Sequence, residues 1–133
     1  AAPDRALLTL YMTTHELIKG MGADIADVRR FRKLPYGRNK SFYSKVFTDA
    51  EIRHCLAKQD PYPHFAARFA AKEAVAKAMN FSVYKAKNVE IVNDKTGKPE
   101  AKIKDRKSKT KNKLMVSLSH TKDQAIAIAL WLN

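Results

Sequence analysis

The feature that most constrains this fold is a pair of alanine-rich faces, one with helical and one with strand periodicity. In "FAARFAAKEAVAKA", residues 65–78, alanines recur at the i, i+3, i+4, i+7 spacing of one helical face, at Ala67, Ala70, Ala71, Ala74 and Ala78. In "AIAIALWL", residues 125–132, alanine alternates with Ile and Leu, so small side chains occupy one strand face. Because two smooth faces can approach closely, we predict that the helix packs on this strand.

The periodicity along the rest of the chain predicts an α+β fold, an antiparallel sheet packed against the long helix. A hairpin is expected where two alternating segments flank the turn "KTGKP". Thr48 and Glu51 have the spacing of a capping box, so we assign both a structural role at a helix start. The predicted strands are 17–25, 88–94, 100–104, 114–120 and 125–132, and the predicted helices are 26–34, 47–58 and about 65–79.

The length of 133 residues fits one domain. We assign residues 1–16 to an N-terminal extension and residues 17–133 to a single domain. Within that domain, "KDRKSKTKNK" at 104–113 has no apolar residue, which is the composition of a mobile basic loop.

The charge balance indicates an anionic partner. The chain has 26 Lys and Arg against 13 Asp and Glu, a net charge of +13. Such a field attracts anions and speeds their encounter with the protein. Nucleic acid, a phosphate-rich cofactor and an acidic protein are all compatible with it, and the charge alone does not choose among them.

Cysteine and histidine usage excludes several kinds of site. The single Cys55 excludes an internal disulfide and suits a reducing compartment. One cysteine and four dispersed histidines lack the spacing of a structural zinc site. No apolar run approaches the roughly 20 residues that span a bilayer. We therefore expect a soluble, cytoplasmic protein.

Three charged residues interrupt the alanine-rich helix and need an explanation. Glu73 and Lys77 are i, i+4 neighbours, which in an arbitrary helix usually form a surface ion pair. Lys72 lies beside them. The helix by itself does not distinguish such a pair from a functional site.

Four motifs that occur in order along the chain favour a functional site over a surface ion pair, because together they resemble a known family. "GADIADVRRF", "FTDAE", "RFAAKEAVAKA" and "SLSHTKDQAIAIA" resemble those of the holo-[acyl-carrier-protein] synthases, the short 4′-phosphopantetheinyl transferases, over about residues 18–132. The resemblance implies transfer of the 4′-phosphopantetheine arm of coenzyme A to a serine of an apo acyl carrier protein. It also implies dependence on Mg²⁺, release of adenosine 3′,5′-bisphosphate, and a homotrimer with active sites at the subunit boundaries.

The resemblance also implies roles for individual residues. Asp24 and Glu73 match the metal ligands, and Mg²⁺ prefers such oxygen ligands. The expected contacts to coenzyme A and its phosphates are Arg68, Lys72, Lys77, Ser119 and His120, although Lys72 alternatively extends to solvent. Either Glu73, through a metal-bound water, or His120 is the general base. His15, His54 and His64 match no family motif and are expected to be ordinary residues.

Recognition of the acidic carrier is assigned to the first helix and the segment after it. Arg29, Arg30 and Arg38 match or extend the family's docking arginines, and Arg32 and Lys40 add to the patch. Charges at such a rim mainly affect association rate and salt dependence. The loop "NFSVYKAKN", residues 80–88, departs from the family pattern because it has no glycine.

A small basic nucleic-acid-binding domain is the alternative interpretation. The net charge, the lysine-rich loop and the aromatic residues Tyr36, Phe42 and Tyr43 near basic residues would suit it. However, the sequence has no nucleic-acid-binding signature, and this interpretation leaves Asp24 and Glu73 unexplained.

Overall fold

The computed structural model describes residues 2–104 and 113–133, which form an α+β fold, as predicted. The helices are α1 Arg5–Leu17, α2 Val28–Arg32, α3 Lys40–Val46, α4 Asp49–Leu56 and α5 Pro61–Met79. The strands are β1 Ile18–Asp27, β2 Val89–Asn93, β3 Pro99–Ile103, β4 Lys113–His120 and β5 Gln124–Leu132. No helix within the two described ranges is long and apolar enough to cross a membrane.

The strands form two antiparallel sheets instead of the single sheet that the sequence suggested. One sheet has the order β1–β5–β4, and the predicted hairpin forms a separate sheet of β2 and β3. In the larger sheet, Asp24 lies opposite Ala127, which in turn lies opposite Leu118. This register places Asp24 on the face that α5 covers.

The two alanine faces pack against each other, as the periodicity predicted. All five alanines of the helical face are buried, and so are Ala125, Ala127 and Ala129 of β5. Helix α5 lies mainly over β1 and β5. Two glycines of β1 bring the backbones closest: a Cβ atom on Gly20 would lie 1.9 Å from the Ala78 carbonyl oxygen, and one on Gly22 would lie 2.1 Å from that of Ala74.

Helix α5 begins earlier than the sequence suggested. The segment "DPYPH" reads as a break, yet the helix starts within it, at Pro61. Asp60 is the N-cap and its side chain accepts a hydrogen bond from the Tyr62 amide. Proline fits the first helical turn because its missing N–H group would have no helical partner there. The helix ends at Met79 and is followed by the C-cap Asn80, whose φ of 51° is left-handed.

The short helices before α5 complete the hydrophobic core. The capping box of α4 is confirmed, with reciprocal hydrogen bonds between Thr48 and Glu51. Helix α3 has no counterpart among the predicted elements. Its Tyr43 is fully buried against Phe47 and Phe65 and donates a hydrogen bond to the Leu34 carbonyl at 2.7 Å.

The structure describes most of the predicted N-terminal extension but little of the predicted basic loop. Most of the N-terminal extension is helix α1, which is capped by Asp4 and leads directly into β1. Its Leu7 and Leu10 are exposed. The predicted basic loop at 104–113 lies largely outside the described residues.

The face of the β1–β5–β4 sheet that points away from α5 is apolar and exposed. We call it the outer face, and its large exposed side chains are Met21, Ile25, Met115, Ile126 and Ile128. Met21 and Ile25 are 70% and 66% exposed. Monomeric proteins rarely leave a contiguous apolar surface of this kind uncovered, so the outer face has the character of an interaction surface.

We predict that Gly22→Ala lowers the free energy of unfolding by about 1 to 3 kcal/mol, because the added methyl group forces the backbones of β1 and α5 apart. Gly37→Ala is the matched control, since a Cβ atom there meets nothing within 4 Å. It should change stability by less than about 0.5 kcal/mol. Urea unfolding followed by circular dichroism measures both, and equal stabilities for the two variants would refute the steric argument.

Candidate active site

Two carboxylates lie together where β1 meets α5. Asp24 projects from β1 toward the helix, and its side chain is only 18% exposed. Glu73 is half-buried on α5. Its pKa is raised, first by burial and then by the negative charge of Asp24. The structure therefore brings together the two predicted metal ligands, which are 49 positions apart in the sequence.

Lys77 is bonded to Asp24 and not to its helical neighbour Glu73. Its Nζ lies 3.1 Å from Asp24 Oδ1 and donates a second hydrogen bond to the Ala23 carbonyl at 3.0 Å. The side chain is more than half exposed, so the cation is not held in the core. Its charge also lowers the pKa of Glu73, against the larger effects that raise it. Lys77 therefore adds a positive charge to the edge of the carboxylate pair.

The carboxylate pair fits a magnesium ion better than a transition metal. Mg²⁺ is bound through one or two carboxylates, with waters and phosphate oxygens completing its shell. Among the described residues, no group of three or more His, Cys, Asp and Glu side chains could hold a metal. Asp24 and Glu73 supply two oxygen ligands with neighbouring negative charge, which is the donor set that Mg²⁺ needs.

A second, cationic cluster surrounds a cavity of about 210 Å³ beside the N-terminal half of α5. We call it the anion cavity. Its polar lining residues are His54, Lys58, His64, Arg68, Asn93 and His120. Within residues 2–104 and 113–133 no acidic side chain lines it, so the cavity suits a negatively charged ligand.

Arg68 is the most buried cation of the anion cavity. It is 5% exposed, and one of its terminal nitrogens donates to Asn93 Oδ1 at 2.8 Å. Its Nε has no hydrogen-bond partner in the part of the chain that the structure describes. Burial lowers the pKa of Arg68, but a guanidinium remains charged at neutral pH. A buried charged donor without a partner costs free energy, which an anion in the cavity would offset.

The structure contradicts both predictions for Lys72. Its side chain is completely buried, so it neither extends to solvent nor reaches a ligand. Its Nζ lies 2.7 Å from Glu51 Oε1 and donates to the Ala86 and Val89 carbonyls. Glu51 also accepts hydrogen bonds from the amides of Thr48 and Ile91. The pair ties α4, α5 and the start of β2 together inside the core.

Ser119 and His120, predicted to act as a pair, project from opposite faces of β4. Neighbouring side chains alternate across a strand. His120 follows Leu118 on the face that lines the anion cavity, and its ring centroid lies 4.9 Å from that of His64. Ser119 is on the outer face beside Ile25 and Ile126. Within one chain, therefore, Ser119 is not part of the anion cavity.

Helix α5 stands between the carboxylate pair and the anion cavity. Glu73 follows Arg68 by five positions, and at about 100° per residue the two side chains point roughly 140° apart around the helix. Lys77 lies on the Glu73 side and His64 on the Arg68 side. One chain thus presents two half-sites on different faces of the same helix.

The predicted docking arginines lie on the surface of α2 and in the turn Tyr36–Arg38, which connects α2 to α3. Arg29 pairs with Asp27 at 2.8 Å, and Arg32 pairs with Asp60 at the same distance. Arg30 is exposed, with its guanidinium 5.9 Å from the centre of the Phe69 ring. Arg38 is also exposed. Arg30 and Arg38 therefore form no ion pair among the described residues and are accessible to an acidic surface.

Two histidines of the anion cavity were not predicted from the sequence. His54 and His64 were expected to be ordinary residues, yet both line the anion cavity. For His64 a signal was present, because it precedes Arg68 by four positions and so shares its helix face. His54 had no such signal, since its position depends on how α4 packs against α5.

Comparison with known proteins identifies the family. The model of the 4′-phosphopantetheinyl transferase superfamily matches residues 20–129. A holo-[acyl-carrier-protein] synthase from Thermodesulfovibrio yellowstonii is 39% identical over 115 residues, covering 86% of this chain and 98% of that protein.

Solved structures agree with this result. A holo-(acyl-carrier-protein) synthase from Bacillus anthracis in complex with CoA (3′,5′-ADP) has a TM-score of 0.73 at 27% identity, covering 88% of this chain and 98% of that one. The holo-[acyl-carrier-protein] synthase from Neisseria meningitidis has a TM-score of 0.74 at 28% identity, covering 86% of this chain and 98% of that one.

We predict that Lys72→Met lowers the free energy of unfolding by about 3 to 5 kcal/mol, because it leaves the Glu51 carboxylate unpaired in the core. The double variant Lys72→Met/Glu51→Gln should regain more than half of this loss, since it removes the orphaned charge and keeps a hydrogen-bond acceptor. Lys45→Met, at an exposed position, is the control. Urea unfolding measures all three, and a Lys72→Met variant as stable as the Lys45→Met control would contradict the prediction.

Proposed function

Because the chain belongs to the 4′-phosphopantetheinyl transferase superfamily, as a member of its holo-[acyl-carrier-protein] synthase group, we propose that it transfers the 4′-phosphopantetheine group of coenzyme A to a serine of an apo acyl carrier protein. In this reaction the serine oxygen forms a bond to the phosphorus of the phosphopantetheine. The bond from that phosphorus to the bridging oxygen breaks, and adenosine 3′,5′-bisphosphate leaves.

The observation that carries the proposal is the juxtaposition of Asp24 and Glu73 between β1 and α5. Cleaving a pyrophosphate requires stabilisation of charge on the bridging and leaving oxygens more than it requires a protein nucleophile. Asp24 and Glu73 would hold Mg²⁺, which when bound supplies positive charge for those oxygens. The raised pKa of Glu73 is consistent with two carboxylates that await a cation.

The chain's own residues then orient the reactants and move the proton. Lys77, at the edge of the carboxylate pair, contacts the phosphate oxygens and stabilises negative charge on the leaving group. We assign to Glu73 the acceptance of the carrier serine's proton, directly or through a water molecule. His120 belongs to the anion cavity, so we assign it to phosphate binding and not to proton transfer.

The anion cavity holds a phosphate of coenzyme A. Arg68 offers a buried guanidinium with an unused Nε donor, and His120 lies at the exposed rim. Guanidinium groups suit phosphate because they present several donors in a fixed plane. This placement keeps the predicted roles of Arg68 and His120, with Lys72 removed from the set.

The two half-sites require that more than one chain contribute to each active site. Since α5 separates Glu73 from Arg68, the carboxylate pair of one copy must meet the anion cavity of a neighbour if both are to contact one coenzyme A molecule. The exposed apolar outer face supplies the surface for such assembly. We therefore propose a homotrimer with three active sites at its subunit boundaries, in which Ser119 lies near an interface.

The acidic carrier protein docks on the basic surface of α2. Arg30 and Arg38 are accessible to its carboxylates, whereas Arg29 already pairs with Asp27. The net charge of +13 adds a long-range attraction to an acidic partner.

We predict that Glu73→Ala abolishes transfer and leaves the fold nearly intact, because it removes a metal ligand from a helix that alanine suits. The assay is the intact mass of an apo acyl carrier protein incubated with the protein, coenzyme A and Mg²⁺, with a chelator control. Wild-type protein should add one phosphopantetheine group to the carrier only when Mg²⁺ is present. Glu100→Ala, at an exposed position of β3, is the matched control and should be fully active.

Two results would count against this assignment. Wild-type turnover by Glu73→Ala would exclude Glu73 as a ligand and as the base. Absence of transfer and of coenzyme A binding by folded wild-type protein would exclude the proposed reaction and favour the nucleic-acid-binding interpretation.

We also predict that Ile126→Asp, at the centre of the outer face, converts the trimer to monomers and abolishes transfer, because a charge cannot be buried there without a partner. Light scattering after gel filtration gives the molar mass. Val83→Asp places the same charge at a still more exposed apolar position outside the sheet and should leave the molar mass unchanged. A monomeric wild-type protein with full activity would refute the assembly.

A further inference from the structure

The anion cavity contains three imidazole rings in addition to its permanent cations. The ring of His64 lies between the other two: its centroid is 4.9 Å from that of His120 and 6.4 Å from that of His54. These rings come from α5, β4 and α4, so the packing of three elements gathers them. Neither His54 nor His64 belongs to a motif that the proposed function uses.

In the free protein the cavity disfavours protonation of His54 and His64. Burial lowers the pKa of His54 to about 4, and the charges of Arg68 and Lys58 act in the same direction. The pKa of His64 is lowered by burial, and then by His120, Lys58 and Arg68, while Asp60 opposes them. The groups that face His64 are thus His120 from β4, His54 from α4, Lys58 from the segment after α4, and Arg68 and Asp60 from α5 and its N-cap. The neutral form of His64 is therefore favoured over the protonated form in the free protein.

We propose that His64 is a further binding residue for a phosphate monoester in the anion cavity, and that it takes up a proton when the dianion binds. The proposal rests on the proposed function, in which the monoester is the 3′-phosphate of coenzyme A. The pyrophosphate of coenzyme A has no such group, because its oxygens are esterified on both sides. The 3′-phosphate therefore carries the highest charge of any single phosphate of the ligand, and the cavity offers it the permanent cations Arg68 and Lys58.

His64 takes up a proton because the bound phosphate changes the electrostatic potential around its ring from positive to negative. Near pH 7 a phosphate monoester carries a charge of about −1.5 to −2. Placed against the unpaired Nε of Arg68, it also comes within reach of the neighbouring imidazoles. A protonated imidazole has two N–H donors and no acceptor, whereas the neutral ring presents a lone pair to the anion. Binding therefore favours the charged form of His64.

The sign of the pH dependence follows from this uptake. Because the complex holds one more proton than its separate parts, affinity for coenzyme A falls as pH rises between the pKa of His64 in the free protein, which is below 6.5, and its higher pKa in the complex. The fall approaches tenfold per pH unit at full uptake of one proton. Below about pH 6 the phosphate itself becomes protonated, so the effect is measured above that value.

The test is calorimetric titration of coenzyme A into the full chain at pH 7, without Mg²⁺, in buffers of different ionisation enthalpy. The dependence of the observed heat on the buffer gives the number of protons taken up. We expect net uptake with coenzyme A and none with dephospho-coenzyme A, which lacks the 3′-phosphate. His64→Gln should remove the uptake and weaken coenzyme A binding about tenfold, the loss expected for one charge-assisted hydrogen bond.

Control ligands and variants separate this proposal from the one on which it rests. His64→Gln should bind dephospho-coenzyme A as the wild type does, and Lys45→Gln, which removes an exposed cation elsewhere, should keep both the uptake and the affinity. Wild-type protein that binds coenzyme A without proton uptake, a result that needs no variant, would overturn the role of His64 and leave the proposed function standing. Absence of coenzyme A binding would overturn both.

Discussion

The close contact between β1 and α5 is the constraint on which the rest of this structure depends. Gly20 and Gly22 have no side chain to hold the helix away, and the alanines of α5 and β5 continue the smooth surface on either side. The helix backbone therefore comes close enough to β1 for the charge of Asp24 to raise the pKa of Glu73. Such contacts leave no room for adjustment, since interiors are packed as densely as crystals of small molecules.

The sequence predicted those features that arise from local periodicity and from motifs. The alanine faces, the capping box of Thr48 and the β2–β3 hairpin follow from spacing alone, and the resemblance located Asp24 and Glu73. The features that the sequence did not predict, such as the burial of Lys72, depend on contacts between distant segments. Nothing in the helix around Lys72 distinguishes it from a surface lysine. It lies in the core because Glu51 of α4 packs against it and forms an ion pair with it. The extent of α5 was missed because Pro61 is compatible with both a helix start and a break.

The division of the site between two faces of α5 explains several features that look unrelated in a single chain. It accounts for a carboxylate, Glu73, on one side of α5 and a buried arginine on the other, and for a sheet whose outer face is apolar and exposed. Ser119 and His120, adjacent in the sequence, lie on opposite faces of β4 because side chains alternate along a strand, so Ser119 is on the outer face that the proposed homotrimer would cover. A chain of this length has little surface from which to build an enclosed pocket by itself, and in the proposed homotrimer a neighbouring copy would provide the missing wall.

The buried pair of Lys72 and Glu51 has a consequence for how such a chain can change over evolutionary time. Either charge alone in the core is strongly unfavourable, whereas a well-packed apolar pair in the same place can be as stable as the ion pair. Single substitutions at these positions thus pass through a poorly folded intermediate, although the double replacement does not. The two positions are therefore expected to change together: descendants of this chain should retain both charges or lose both. For as long as Glu51 is retained, Lys72 will remain beside Glu73 whether or not catalysis has any use for it.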